Sequence, residues 1–220
     1  MRSPGCLDAQ ADFDAATFGA PLAPDTAHNN TFDSQAACFF YRRCQELGVH
    51  LVVVSRHAAG ACPVPRSMYD SIAQSRHIVA LRLRAAQRFS IVALWKRACA
   101  PEGAKQRQRL PARCSRQWFL DTFCKGRCLP EESTDEDVWT VVATFNMYDT
   151  LALVASVAPL RDQYFDCQVI ASYSKGYDSG GNRLALHRII GLGAEESGIK
   201  ATGGLKEFMV ESFKCGLRCR

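Results

Sequence analysis

At 220 residues, with 47% hydrophobic and 22% charged side chains, the chain has enough apolar material for one domain with a substantial core, which excludes wholesale disorder. No apolar run approaches the ~18 residues of a membrane helix, and the opening MRSPGCLDAQADFD is broken by Asp before any signal-peptide core forms, so the expectation is a soluble cytoplasmic protein with no membrane partner. The net charge of +5 is mild, and the basic run KQRQRLPARCSR (105–116) is followed by the acidic EESTDED (131–137), a pattern of solvated loops that argues against a nucleic-acid partner.

Residues 1–23 carry Pro4, Gly5, Gly19 and Pro21 without a clear period and read as an irregular segment ahead of a domain over 24–220. DSQAACFFYRRCQELG then sets Ala37, Phe40, Tyr41, Cys44 and Leu47 at three- and four-residue spacing, an amphipathic helix opened near Asp33 and stopped by Gly48. The β-branched run over 49–55 follows, and its near-continuous hydrophobicity suits a strand covered on both faces. HAAGACPVPR (57–66) reads as a loop beyond that strand's carboxyl end, where ligands gather in open α/β sheets, so His57 and Arg66 are either site residues or surface residues.

Ile78, Leu81, Ala85, Phe89, Val92 and Trp95 mark a long helix over about 77–98, with Arg82, Arg84, Arg88 and Lys96 on the face expected to meet solvent. A short helix is expected from Ser115, and another from Thr134, where Thr134 and Asp137 have capping-box spacing. FNMYDTLAL (145–153) places Asp149 ahead of an apolar run expected to be helical to about Val157 and to end at Pro159. There Asp149 is either a helix cap or an oriented carboxylate of the kind a metal or a reacting water needs. YFDCQVIAS and RLALHRIIGL read as strands flanking a Gly-rich loop, and GLKEFMVESFKCGL as a last helix with Leu205, Phe208, Met209, Ser212 and Phe213 on one face.

Eleven cysteines, odd in number and including the C-x3-C pairs Cys124/Cys128 and Cys215/Cys219, point to free thiols and not to a disulfide framework or a zinc site. The alternation of elements predicts an α/β fold, an open layered sheet with helices on both faces. Three good strands are few for a complete doubly wound sheet, so the domain reads as partial and N-terminally truncated.

Two segments in register, PDTAHNNTFDSQAACFF (24–40) and MYDTLAL (147–153), resemble the inosine–uridine type nucleoside hydrolases. The first is similar to the family's acidic residue, Asn and Asp-Pro-Glu-Ala-Ala segment, the second to its late His-Asp-Pro-Leu-Ala. The resemblance covers 24 to about 217 and implies a Rossmann-like fold and a nucleoside N-ribohydrolase releasing ribose and free base. Loss of the base leaves an oxocarbenium-like sugar, so such a site positions a water and gathers negative charge, in this family around a bound calcium.

By the same resemblance Asp149 matches the late calcium-binding Asp, Asn29 matches the Asn that binds the ribose hydroxyls, and Asn30 is the alternative in a loop one residue shorter. Tyr148 stands where many members carry the His that protonates the leaving base, and a phenol is a poorer acid at neutral pH. Ala27 replaces a sugar-contacting acid. The family's Asp-rich calcium and general-base loop is not found, since Asp12 and Asp14 lack its preceding strand and its following Asp pair. Asp149 alone is too few oxygens for calcium, which takes six to eight. The resemblance thus implies a nucleoside as partner and self-association into a homo-oligomer. Two functions stay open: nucleoside hydrolysis, with the site incomplete in this chain, or a non-catalytic binding or assembly relative.

Overall fold

The computed structural model describes residues 22–25, 27–175, 182–193 and 195–218. The predicted irregular segment 1–23 therefore falls almost wholly outside the described residues, as do the Gly-rich tip near 176–181, Asp12 and Asp14.

In chain order the elements begin with α1 (His28–Phe32) and α2 (Ser34–Glu46). The sequence predicts the second of these closely. Asp33 caps it, its carboxylate accepting from the Ala36 N–H at 2.8 Å, and Gly48 leaves it at φ 67°, a left-handed conformation that glycine adopts without steric cost. After β1 (Val52–Val54) the expected loop contains structure of its own, α3 (Arg56–Ala61) and β2 (Val64–Pro65). Ser55 makes that possible by capping α3, its hydroxyl accepting from the His57 and Ala58 N–H groups.

Next come α4 (Ser67–Ala73), α5 (Ile78–Cys99), α6 (Lys105–Gln108), α7 (Arg116–Cys124) capped by Ser115, and α8 (Asp135–Val141) with the capping box of Thr134 and Asp137 present. After β3 (Thr144–Phe145) the helix after Met147 is α9 (Tyr148–Ser156), and Pro159 does not end helical structure but stands at the second position of α10 (Ala158–Tyr164). β4 (Gln168–Lys175), β5 (Asn182–Ile190) and α11 (Thr202–Gly216) follow.

The chain divides into two compact units. One comprises residues 1–62 with 148–202, the other 63–147 with 203–220. The first holds a three-stranded sheet in the order β1-β5-β4. β5 and β4 pair antiparallel in the register Gln168↔Ile189 through Lys175↔Asn182, while β1 lies parallel to β5 with Val52↔Arg188 through Val54↔Ile190. α9 packs on β1 and α3, and α2 packs on β4. Ala58, Ala59, Leu151, Ala155, Phe165, Ile189 and Ile190 are fully or nearly fully buried, and each large apolar side chain of this kind contributes about 1.5–3 kcal/mol.

The second unit is helical around a two-stranded ribbon of β2 and β3. An aromatic chain runs through it, with ring centroids 5.0 Å apart for Trp95–Phe119 and Phe119–Phe123, 6.3 Å for Phe123–Phe145 and 5.4 Å for Phe145–Tyr69. The buried stripe of α5 keeps only Val92 and Trp95 of the one its apolar spacing suggests. Ala80, Ile91, Trp95 and Ala98 are buried, and Arg84 and Arg88 lie on that same side, bonded to Asp70 at 2.7 Å and Glu136 at 2.8 Å. Ile78, Leu81 and Phe89 are exposed, Phe89 by 77%. Apolar and polar residues are spread around the helix, with Arg82, Gln87, Ser90 and Arg97 interrupting the pattern, so spacing alone marks no single face.

Among the described residues no helix is long and apolar enough to cross a membrane. Helices thus surround a small mixed sheet, as the expected α/β class requires.

Candidate functional site

The Asn29 segment is held from both sides. Ahead of it, Leu22 is tied to α2 by the Gln45 side chain, whose Oε1 accepts the Leu22 N–H at 2.7 Å and whose Nε2 donates to the Leu22 carbonyl at 2.8 Å. Pro24 is buried, and Asp25 follows it. The Asp25 carboxylate accepts from the Ala27 N–H at 3.0 Å and from Asn30 Nδ2 at 2.8 Å, fixing the turn that enters α1. Asn30 is therefore a structural brace, with its amide engaged inside the turn. Asn29 is exposed and makes no hydrogen bond among the described residues. Ala27, at the N-cap of α1, offers no side-chain bond.

Asp149 is the second residue of α9, inside the first turn and not at its cap position. Leu151, Val154 and Ala155 bury the other side of the helix, leaving Asp149 exposed and Tyr148 51% exposed. Among the described residues Asp149 has no hydrogen-bond or ion-pair partner. The four residues predicted for the site, Asn29, Asn30, Tyr148 and Asp149, fall in one compact unit, with no bond between the two pairs among the described residues.

His57 and Arg66 part company, since they belong to different units. His57 sits in the first turn of α3, at the carboxyl end of β1. Burial and then the neighbouring Arg56 charge hold its imidazole below the usual histidine range, and its Nε2 is buried without a partner among the described residues. Arg66 is structural. It ion-pairs with Asp70, donates from Nε to the Val142 carbonyl at 3.2 Å and lies over the Trp139 ring at 5.3 Å. Arg84 covers the same ring at 5.7 Å, and Trp139 Nε1 donates to Asp70 at 3.4 Å. Asp70 is held below the ordinary carboxylate range: burial opposes ionisation, but the bonds and charges of Arg84 and Arg66 and the Trp139 bond outweigh it. The two guanidiniums share the one carboxylate of Asp70.

Sequence reasoning missed a cavity of about 540 Å³ at the carboxyl end of β5, within the size range of small-molecule sites. Asp166, Cys167, Gln168, Glu195, Glu196 and Ser197 supply its polar lining. Two glycines shape its wall. Gly191 has φ 82°, and a Cβ there would stand 2.5 Å from Ser55 Oγ; Gly198 has φ 68°, and a Cβ there would stand 2.7 Å from the Gly191 nitrogen. The -GL- and -SG- dipeptides bounding AEE were the available signal, since paired glycines mark close backbone approach.

Among the described residues no three His, Cys, Asp or Glu side chains group as a metal site, and calcium takes six to eight oxygen ligands.

No family model matches the chain, and no curated protein matches it. Solved structures do. The effector protein XOO4466 superposes with a TM-score of 0.64 at 25% identity, over 90% of this chain and 49% of that one. The type III effector protein XopQ, solved in complex with adenosine diphosphate ribose, also gives 0.64, at 26% identity over 90% of this chain and 48% of that one. The fold is nucleoside hydrolase-like. The relationship is a distant one, and the chain spans about half the length of these effectors.

Proposed function

We propose that this chain is a nucleoside-binding relative of the nucleoside hydrolase-like effectors, recognising ribose through Asn29 and Asp149. The observation that supports this reading is that the two segments resembling the hydrolases, far apart in sequence, lie in one compact unit with both of these side chains exposed and unengaged. Ribose hydroxyls suit such a pair. A carboxylate accepts hydrogen bonds from them, and an amide both donates and accepts. A neutral nucleoside is the favoured class. The pyrophosphate of an adenosine-diphosphate-ribose-type ligand would be repelled by the Asp149 carboxylate.

The test is thermal unfolding of the full chain with inosine, uridine, their 2′-deoxy analogues and adenosine diphosphate ribose. Ribonucleosides are expected to raise the midpoint, deoxynucleosides to raise it less, and Asp149→Ala to abolish the rise. No shift with any nucleoside would refute the proposal. A second reading, calcium-dependent hydrolysis of the N-ribosyl bond, is supported by Asp149 standing at the position of the family's late calcium ligand. It requires further oxygen donors beyond the described cluster and is tested by base release from inosine and uridine with and without calcium.

A further inference from the structure

The junction between β1 and β5 is closed partly by imidazole. Backbone pairing starts where the Arg188 N–H donates to the Leu51 carbonyl at 2.8 Å. Just outside that bond, side chains take over. The Leu51 N–H donates to His187 Nδ1 at 3.2 Å, and the Leu186 N–H reaches His50 Nδ1 at 3.0 Å. Each histidine stands on one side of the junction and meets the backbone of the other.

The two rings differ in what protonation does to them. His50 is exposed, and its Nδ1 lies 3.0 Å from the Leu186 carbonyl oxygen as well as from the Leu186 N–H. It can accept from one when neutral and donate to the other when charged. His187 is 0% exposed, and its Nδ1 faces a donor. An imidazole nitrogen accepts a hydrogen bond only with its lone pair free, so the Leu51 bond requires the ring without a proton on Nδ1. In imidazolium both nitrogens are donors, and the Leu51 N–H then meets an N–H.

We propose that His187 is an acid-released latch: unprotonated at Nδ1 it holds the Leu51 N–H and keeps the entrance of β1 closed on β5, and on protonation the two donors oppose each other and that entrance opens.

The surroundings favour the neutral ring. β1 is Val52–Val54, and the described side chains of β4 are Gln168, Val169 and Ile170, with Ile170 directly across from His187, so none of these titrates. Cys167 precedes β4 and His50 precedes β1. Arg188 is the next residue along β5 and points to the opposite sheet face. Burial and then the nearby His50 hold the His187 imidazole below the usual histidine range, which places the release on the acidic side of neutrality.

Amide exchange of the full chain, resolved at Leu51 and corrected for the intrinsic effect of pH, tests the latch. Between about pH 7.5 and about pH 5, Leu51 protection is expected to fall by roughly tenfold or more, the scale of one lost hydrogen bond to a ring. The Trp95 amide in α5 is the reference. His187→Asn, whose Oδ1 can accept without titrating, is expected to keep Leu51 protection flat. Unchanged wild-type protection at Leu51, or an undiminished fall in the variant, would overturn the proposal. If the variant does not fold, the wild-type ring decides: nitrogen-15 shifts should show His187 Nδ1 unprotonated near pH 7.5 and gaining its proton over the interval in which Leu51 loses protection. A protonated Nδ1 near pH 7.5 contradicts the latch.

Discussion

The Asp70 cluster of the helical unit and the candidate site of the sheet unit treat their polar residues in opposite ways. In the helical unit, Asp70 gathers Arg66, Arg84 and the Trp139 N–H, and both guanidiniums lie on the Trp139 ring, so that each group satisfies another. In the sheet unit, Asn29 and Asp149 are exposed without partners among the described residues, and His57 Nε2 is buried without one. A satisfied network stabilises and specifies a structure, whereas polar groups held in place but left unengaged are available to a ligand. The contrast makes the Asp70 cluster a stabilising one and leaves the side chains of Asn29 and Asp149 unengaged among the described residues.

Substitutions can break that contrast. Trp139→Ala removes the ring under both guanidiniums and should cost about 3–5 kcal/mol, read by urea unfolding, with the strongest loss of protection in α4, α5 and α8. Gly191→Ala places a side chain at φ 82° against Ser55 Oγ and should cost about 1–3 kcal/mol from backbone strain alone, with the clash adding to it. Ser55→Ala removes the α3 cap, for about 1 kcal/mol, or roughly 2–4 °C in the thermal midpoint at this chain length. Asp149→Ala should change stability by less than about 0.5 kcal/mol, since the carboxylate has no partner to lose. A larger loss there would show that Asp149 is structural and erase the contrast.

The pH dependence sharpens the same comparison. His57 and His187, both in the sheet unit, are held below the usual histidine range, so the unfolded chain binds more protons than the folded one as pH falls through about 6.5. Stability is complete above that value and declines below it. Asp70 in the helical unit lies below the ordinary carboxylate range, so its contribution is present above about pH 4 and is lost only on stronger acidification. Acid unfolding followed by amide exchange should therefore loosen the sheet unit first.

The elements with local signatures were legible in the sequence. Asp33 and Gly48 bound α2, Thr134 and Asp137 form the capping box of α8, and the two apolar runs after Tyr164 pair as β4 and β5. Three features depended on tertiary contacts and were not. The inward face of α5 includes Arg84 and Arg88, whose partners lie on α4 and α8, which periodicity does not encode. α3 rests on a Ser55 cap within what composition marks as a loop. The β5 cavity exists because two distant glycines let the backbone of residues 191–198 approach Ser55 and Asp166. Of the candidate site, the family resemblance favoured Asn29 and kept Asn30 as the alternative; that Asn30 is engaged by Asp25 emerges only from the folded turn.

The most direct test of nucleoside recognition by the sheet unit is calorimetric titration of inosine into wild-type and Asp149→Ala protein at equal folded concentration. The account predicts saturable binding to the wild type, weakened at least about tenfold in the variant, as loss of a charge-assisted hydrogen bond to a ribose hydroxyl requires. Equal affinity for the two proteins, or no binding to either, would contradict it.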